Sequence, residues 1–271
     1  MGALRVIALT GATDGLGRAV AERLADRADH LLILHGRNPE RLKALRDDFG
    51  GRAAEVVTVV SNLSEIAQVH ALARQIAAAT DRLNVLVNNA GVGFGEPDGA
   101  DRRLTVDGNE LRFAVNYLAP FALTRDLLPL LDAGAPARVV NVASLGQAPI
   151  AFDDLTLAHD YSGRRAYGQS KLALIADTLT LADRLPSERI TVNSLHPGTY
   201  MPTKMVLESI GHSVDTLESG VEATLRLIDD PALDGVTGRF FDGMNEARAQ
   251  ADVYDPDVRR RLTRISEALT A

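Results

Sequence analysis

The chain has 271 residues, 46% apolar and 24% charged, with a net charge of −7 and a pI near 5.4. The acidic balance argues against nucleic acid or an anionic membrane as the main partner. With no cysteine in the chain, disulfides, thiolate nucleophiles and Cys-based metal sites are excluded. The early apolar stretch at residues 6–9 is far too short for a membrane span and has no signal-peptide layout, so a cytoplasmic protein without a membrane span is expected.

Short apolar runs then alternate with amphipathic stretches to about residue 195. Strands are expected at residues 5–9, 31–35, 56–60, 85–87, 138–143 and 191–195. These runs are dense in Val, Ile and Leu without polar alternation, as strands covered on both faces are. Between them, Asn38-Pro39-Glu40 offers a helix cap followed by proline at the first helical position. Ser64 stands where it can cap a helix carrying Ile66, Val69, Leu72 and Ile76 on one stripe. Longer helical patterns cover residues 109–131 and 164–185. The repeated β-α order implies an α/β fold: a single Rossmann-type, doubly wound parallel sheet with helices on both faces and right-handed crossovers. Beyond residue 200 the pattern loosens. A substrate loop is expected over about 200–219, a helix near 221–228, a last strand at 238–242, and a charged terminal helix over about 255–269 opened by Asp255-Pro256. No linker or repeat divides the chain, so one domain over residues 1–271 is expected.

The first strand runs into Thr10-Gly11-Ala12-Thr13-Asp14-Gly15-Leu16-Gly17. Glycines between a strand and a helix let the backbone turn tightly and approach a pyrophosphate at the helix N-terminus. The spacing is not G-x-G-x-x-G, because the first two glycines stand further apart. The second strand ends at His35-Gly36-Arg37-Asn38, without the acidic residue that would bind a ribose 2′-hydroxyl. Arg37 instead offers a guanidinium suited to a 2′-phosphate, so NADP(H) is the expected nucleotide and NAD(H) the alternative.

Tyr167 and Lys171 stand one turn apart on a helical pattern and so share a face. A phenol titrates near pH ~10, and an ammonium held close by pulls that value down. The pair is thus expected to make a proton donor and acceptor near neutral pH.

Taken together, these elements resemble the short-chain dehydrogenase/reductase family. Residues 10–17 look like its T-G-x-x-x-G-x-G loop and Asn88-Asn89-Ala90-Gly91 like its N-N-A-G element. Ser144, Tyr167-x-x-x-Lys171 and Pro197-Gly198 complete the set in the family's order. Val115-Asn116-Tyr117-Leu118 and the interval from Ser144 to Tyr167 are similar to the retinol-dehydrogenase-like branch. The resemblance implies that Tyr167 is the general acid in reduction and the base in oxidation, and that Lys171 lowers its pKa and holds the nicotinamide ribose. It implies that Ser144 binds the substrate oxygen and that Asn116 holds a water through its backbone carbonyl. Asn89, Ala90 and Gly91 would border the cofactor ribose, and Pro197, Gly198 and Thr199 the nicotinamide carboxamide. Gly11, Thr13, Asp14, Gly15, Leu16 and Gly17 would form the diphosphate turn.

Two departures stand out. Asn62-Leu63 replaces the family's Asp-Leu beside the adenine, and Asp14 occupies a place where some NADP-preferring members carry a basic residue. His196 is read as a cofactor-loop or packing residue, Asp153 and Asp154 as loop charges or caps, and no motif points to a metal. Substrate contacts are expected from residues 93–96, 145–152 and 200–210, with Phe94, Leu145, Ile150, Phe152, Tyr200, Met201 and Met205 giving a mostly apolar wall. The expected activity is hydride transfer between NADP(H) and a lipophilic ketone, aldehyde or secondary alcohol. The competing readings are a regulator that binds NADP(H) without turnover and a reductase of an activated C=C bond. Helices 109–131 and 164–185 resemble those that pair subunits in the family, so a homodimer or homotetramer is expected.

Overall fold

The computed structural model describes residues 4–95, 101–202, 206 and 211–271. Its centre is β1 (Arg5–Leu9), hydrogen-bonded on one side to β2 (His30–Gly36). The sheet grows outward from β2 to β3 (Glu55–Val60), then resumes on the other side of β1 with β4 (Val85–Asn88), β5 (Ala137–Val142), β6 (Ile190–His196) and β7 (Phe240–Asp242). These strands run parallel, and β8 (Asn245–Ala247) returns antiparallel to β7.

Why the strands lack polar alternation is visible in their packing. Successive side chains leave a strand on opposite faces, and here each face has its own apolar core. Ile7, Leu9, Leu32, Leu34, Val85 and Val87 enter one core. Their neighbours Val6, Ala8, Ile33 and Leu86 enter the other.

Helices α1 (Gly15–Ala25) and α2 (Pro39–Phe49) cover the first face through Val20, Leu24, Leu42 and Leu45. Helix α3 (Ile66–Ala79) covers the second through Val69, Leu72 and Ile76, the stripe read from the sequence. Beside it, α4 begins as an α-turn at Leu111–Phe113, widens to a π-turn at Ala114–Leu118 and continues as an α-helix over Ala119–Ala133. Helix α5 (Gly163–Arg184) is buried along most of its length. Helix α6 (Leu217–Asp229) returns to the first face, and α7 (Pro256–Leu269) ends the order.

Several local expectations change. Asn38 caps α2 as expected, its Oδ1 accepting from the Arg41 amide at 3.0 Å. Ser64 does not cap α3: its hydroxyl donates to Asn62 Oδ1 at 2.9 Å, and the Ile66 amide is taken by the distant Asp107 carboxylate, also at 2.9 Å. A cap supplied across forty residues leaves no local spacing signal. The last strand expected at 238–242 is a hairpin, in which Gly243 adopts φ +55° and lets a tight turn join β7 to β8.

The two long helices expected to pair subunits carry α7 across part of their surface. Tyr117 of α4 bonds Ser266 at 2.7 Å, and Arg259 reaches Asp183 of α5 at 2.6 Å. Past the end of α7, the Thr270 carbonyl meets His70 Nε2 at 3.0 Å, while His70 Nδ1 lies 2.5 Å from Asp126 Oδ2. Two acceptors are satisfied together only by the doubly protonated ring. The Asp126 hydrogen bond accordingly raises the His70 pKa, against partial burial and the charge of Arg74. Such a group adds stability in full below the unfolded histidine value of about 6.5, and that stability is lost as pH rises through the folded value. Asp126→Asn is therefore expected to lower the melting temperature more at about pH 5.5 than at about pH 9; equal losses at both would contradict the clasp.

Candidate active site

The order of the sheet reverses between β1 and β4, and beyond the carboxyl ends of the strands at such a reversal lies the ligand crevice of this kind of sheet. The residues singled out in the sequence converge there. Thr10 ties the two strand ends together: its Oγ1 accepts from the Asn89 and Ala90 amides at 3.0 and 3.1 Å. Asn89 replies from its side chain, donating to the Thr10 and Gly11 carbonyls at 2.8 and 3.2 Å. This strap holds the glycine turn against the loop after β4.

Within the turn, backbone space is the controlling quantity. A Cβ on Gly17 would lie 2.2 Å from the Gly11 carbonyl oxygen, and Gly11 itself adopts φ +70°. A side chain at Gly17 would therefore break the turn. The main chain is left open at the N-terminus of α1, which suits a diphosphate. Asp14 caps this helix, accepting from the Gly15 amide at 2.8 Å, and Arg41 reaches its other oxygen at 3.4 Å. Thr13 rests on Gly36, where a Cβ would come within 2.7 Å of its methyl group. Leu16 turns into the core.

His35, at the end of β2, was not anticipated, because nothing distinguishes it in sequence from an ordinary strand residue. It is 3% exposed. Its Nδ1 accepts from the Gly11 amide at 3.3 Å, and its Nε2 faces the Ser61 carbonyl at 3.1 Å. Burial holds its pKa down to about 4, so the ring is neutral and the Nε2 proton is assigned by its acceptor. One imidazole thereby spaces the glycine turn from the end of β3.

Arg37, two residues on, is exposed and has no ion-pair partner among the described residues. Asn62 is more committed than expected. Its Oδ1 accepts from the Ser64 amide and hydroxyl, and its Nδ2 donates to Glu65 at 2.7 Å. Leu63 is buried beside it.

Across from the glycine turn, Ser144 after β5 and the Tyr167 ring both border Gly146, where a Cβ would stand 3.4 Å from Ser144 Oγ and 3.7 Å from Tyr167 Cε1. Ser144 Oγ accepts from the Gly146 amide at 3.0 Å. Lys171, buried one turn along α5, donates from Nζ to the Val142 carbonyl at 2.7 Å, with Nζ 5.7 Å from the centre of the Tyr167 ring. Gly91 lies before it: a Cβ there would stand 3.6 Å from Nζ and 3.3 Å from Asn116 Oδ1. Asn116 sits in the π-turn, a distortion frequent at functional sites. It accepts from the Val92 amide at 2.7 Å and donates to the Val92 carbonyl and Ser170 Oγ, both at 3.0 Å.

The electrostatics correct one expectation. Burial raises the Tyr167 phenol above its ordinary value, and the neighbouring Ser144 hydroxyl only opposes this. Lys171 does not lower it here, because the ammonium is aimed at Val142 and burial brings the lysine itself down to about 8.

At the end of β6, His196 Nε2 bonds Thr199 Oγ1 at 3.1 Å, consistent with a loop-packing role. The Thr199 amide donates to Asp215 Oδ2 at 2.5 Å, and the Asp215 amide returns to the Thr199 carbonyl at 2.9 Å. Pro197 is buried, and Gly198 leaves the room that Asp215 and Met201 occupy.

The expected substrate wall divides. Phe94 meets the Tyr167 ring edge-on at 5.6 Å, and Leu145 is exposed nearby in sequence to Ser144. Ile150 and Phe152 instead pack against the core under α7, where Arg261 stacks on Phe152, and Met201 is a core residue. Tyr200, at φ +47°, packs against His212. Met205 and Glu96 lie outside the described residues. Asp153 pairs with Arg261, and Asp154 takes the Ala158 and His159 amides, which hold its carboxyl at about 2. Among the described residues no three His, Asp or Glu gather as metal ligands, and no helix is long and apolar enough to cross a membrane.

A family profile described as short chain dehydrogenase matches residues 5–211. The chain belongs to the short-chain dehydrogenase family. Human retinol dehydrogenase 13 is 32% identical over 277 residues, spanning 95% of this chain and 82% of that protein. Mouse retinol dehydrogenase 14 is 32% identical over 290 residues, spanning 98% and 85%. These matches put the chain in the retinol-dehydrogenase-like branch of the family. Among solved structures, the NADPH-bound carbonyl reductase from chicken fatty liver aligns with TM-score 0.70 at 24% identity, over 92% of this chain and all of that one. The Pseudomonas aeruginosa RhlG/NADP active-site complex aligns with TM-score 0.68 at 27% identity, over 89% and 94%. As a member of this family the chain is a nicotinamide-dependent oxidoreductase. The opened glycine turn, the helix N-terminus behind it and the Cβ-free approach at Gly91 fit such a cofactor.

Proposed function

We propose that this short-chain dehydrogenase is an NADP(H)-dependent carbonyl reductase with Tyr167 as its general acid. The observation that carries this reading is the meeting of Ser144 and Tyr167 at Gly146, with a buried Lys171 one turn along the same helix and Gly91 of the loop after β4 before its ammonium. The bound nicotinamide supplies the hydride. Ser144 donates its hydroxyl hydrogen to the carbonyl oxygen and stabilises the charge that grows there. Tyr167 passes its phenolic proton to the same oxygen, completing the alcohol. Lys171, protonated below about pH 8, turns toward the phenolate left behind and favours it. Asn116, fixed by Val92 and Ser170, keeps its backbone carbonyl in the π-turn for a water that would replace, from solvent, the proton Lys171 passes on to restore the Tyr167 phenol. Oxidation of a secondary alcohol runs the same steps backward, and the reduced state of cellular NADPH favours reduction.

Gly11, Thr13, Gly15, Leu16 and Gly17 would hold the diphosphate, with Asp14 fixing the helix end behind them. Asn89, Ala90 and Gly91 would border the ribose, and Pro197 to Thr199 the carboxamide. Arg37 supports the preference for NADP(H), since at the end of β2 it has no ion-pair partner among the described residues while the neighbouring Arg41 is engaged by Asp14. RhlG, whose complex contains NADP, supports it from outside. Phe94 and Leu145, with relatives that act on retinol by name, support a lipophilic substrate. The same reading takes residues 1–271 as one domain. Pairing of α4 and α5 into a homodimer or homotetramer would have to accommodate α7 on Tyr117 and Asp183.

Arg37→Gln is expected to weaken NADPH binding in titration calorimetry while leaving NADH binding near its original value. Tighter binding of NADH than NADPH by the unaltered protein would end the preference. Tyr167→Phe is expected to cut turnover of ketones and aldehydes by about 10²–10⁴-fold, the usual scale of positioned proton transfer, and to keep NADPH affinity. Full turnover in that variant would remove the general acid and favour reduction of an activated C=C bond instead.

A further inference from the structure

Phe94 is where the loop after β4 meets the acid/base group, and the main chain beside it is tied down from outside the loop. Arg112, on the first turn of α4, donates from Nε to the Gly93 carbonyl at 2.7 Å. The arginine is fully buried. Its Nη1 also donates to the Tyr161 hydroxyl at 2.7 Å and to Glu110 Oε1 at 3.4 Å. The Tyr161 hydroxyl donates in turn to the same Glu110 oxygen at 3.1 Å. Glu110 Oε2 accepts from the Phe113 amide at 2.8 Å and so caps α4. Three segments meet in this cluster: the loop after β4, the start of α4 and the approach to α5.

A buried ion pair of this kind contributes little net stability compared with apolar side chains of the same volume. What it provides is geometry. Gly93 has no side chain to lock the loop, and the next residue places its ring 5.6 Å from that of Tyr167. The Arg164 guanidinium also lies over the Phe94 ring, 4.6 Å from its centre. Phe94 thus meets both the phenol ring and a cation, while Arg112 holds the Gly93 carbonyl just before it.

We propose that Arg112, held by Glu110 and Tyr161, is a positioning residue that sets Phe94 against Tyr167, and that Phe94 limits the bulk of the carbonyl compound reaching the phenol. This rests on the reading of Tyr167 as the general acid. Removing the ring opens the cleft on the substrate side. Removing the Tyr161 hydroxyl loosens the same ring without replacing Phe94 itself or any residue of the catalytic set or the cofactor turn.

The test compares the unaltered protein with Phe94→Ala, Tyr161→Phe and the double variant. Each is assayed with NADPH on an aryl methyl ketone and on its aryl tert-butyl counterpart, and amide exchange is measured at Phe94. Phe94→Ala is expected to raise the bulky-to-small ratio of kcat/KM about tenfold, the scale of discrimination that one apolar group supplies. Tyr161→Phe is expected to raise it about threefold by the same route and to speed exchange at the Phe94 amide. The double variant is expected to match Phe94→Ala, because residues acting through one another are not additive. An unchanged ratio with unchanged exchange in Tyr161→Phe would overturn the proposal, as would a double variant whose shift is the product of the two. A purely structural role would lower melting temperature and slow both ketones alike, which also counts against it. Tyr167→Phe in the same assay separates the two levels: if it turns over normally the general-acid reading has failed, whatever the ratio does.

Discussion

A lysine without a carboxylate partner among the described residues, buried in the middle of α5, is the constraint around which the crevice is organised. Lys171 is 4% exposed, and its ammonium meets the Val142 carbonyl. Burial carries its pKa from an ordinary 10.5 to about 8, equivalent to about 3 kcal/mol of differential solvation. The fold carries that cost below about pH 8, where the lysine is charged both folded and unfolded, and is relieved of it as pH rises toward the unfolded value. It is sustained by a helix buried along most of its length, with Leu172, Leu174 and Ile175 in the core beside it. Placing a cation there makes chemical sense only because Tyr167 stands one turn away on the same helix, close to Ser144.

The loops that complete the crevice are held by polar side chains reaching in from neighbouring elements. Thr10 and Asn89 tie the glycine turn to the end of β4. His35 spaces that turn from β3, Asn116 fixes Val92, Arg112 fixes Gly93, and Asp215 fixes Thr199. Each brace removes conformational freedom before any ligand arrives, which lowers the ordering cost of binding. The arrangement also explains why two aromatic and one sulfur-bearing residue of the expected substrate wall lie elsewhere. Phe152 and Met201 are taken up in packing against α7 and α6, and Tyr200 against His212.

The first six strands and both helical layers were legible in the sequence because each rests on local periodicity. The apolar runs at residues 5–9 and 85–87 announce two-sided burial, and the stripe from Ile66 to Ile76 announces one helix face. The glycine turn, Ser144, Tyr167 and Lys171 were legible through their spacing on these elements. What escaped were contacts with no local signature. Asp107 caps α3 from forty residues away, and His35 reads as one more strand residue. Glu110, Arg112 and Tyr161 gain their meaning only when α4 and the approach to α5 are brought together. The direction of the Tyr167 shift escaped for a related reason: spacing places an amine and a phenol on one face but does not say where the amine points.

The central claim is that this phenol becomes an acid of useful strength when the nicotinamide is in place. It is tested most directly by ultraviolet difference titration of Tyr167, taken as the unaltered protein minus Tyr167→Phe, with and without NADP⁺. The account predicts titration above the ordinary tyrosine value without nucleotide and a clear fall when NADP⁺ is bound. A phenol that titrates at the same high pH in both states would contradict it.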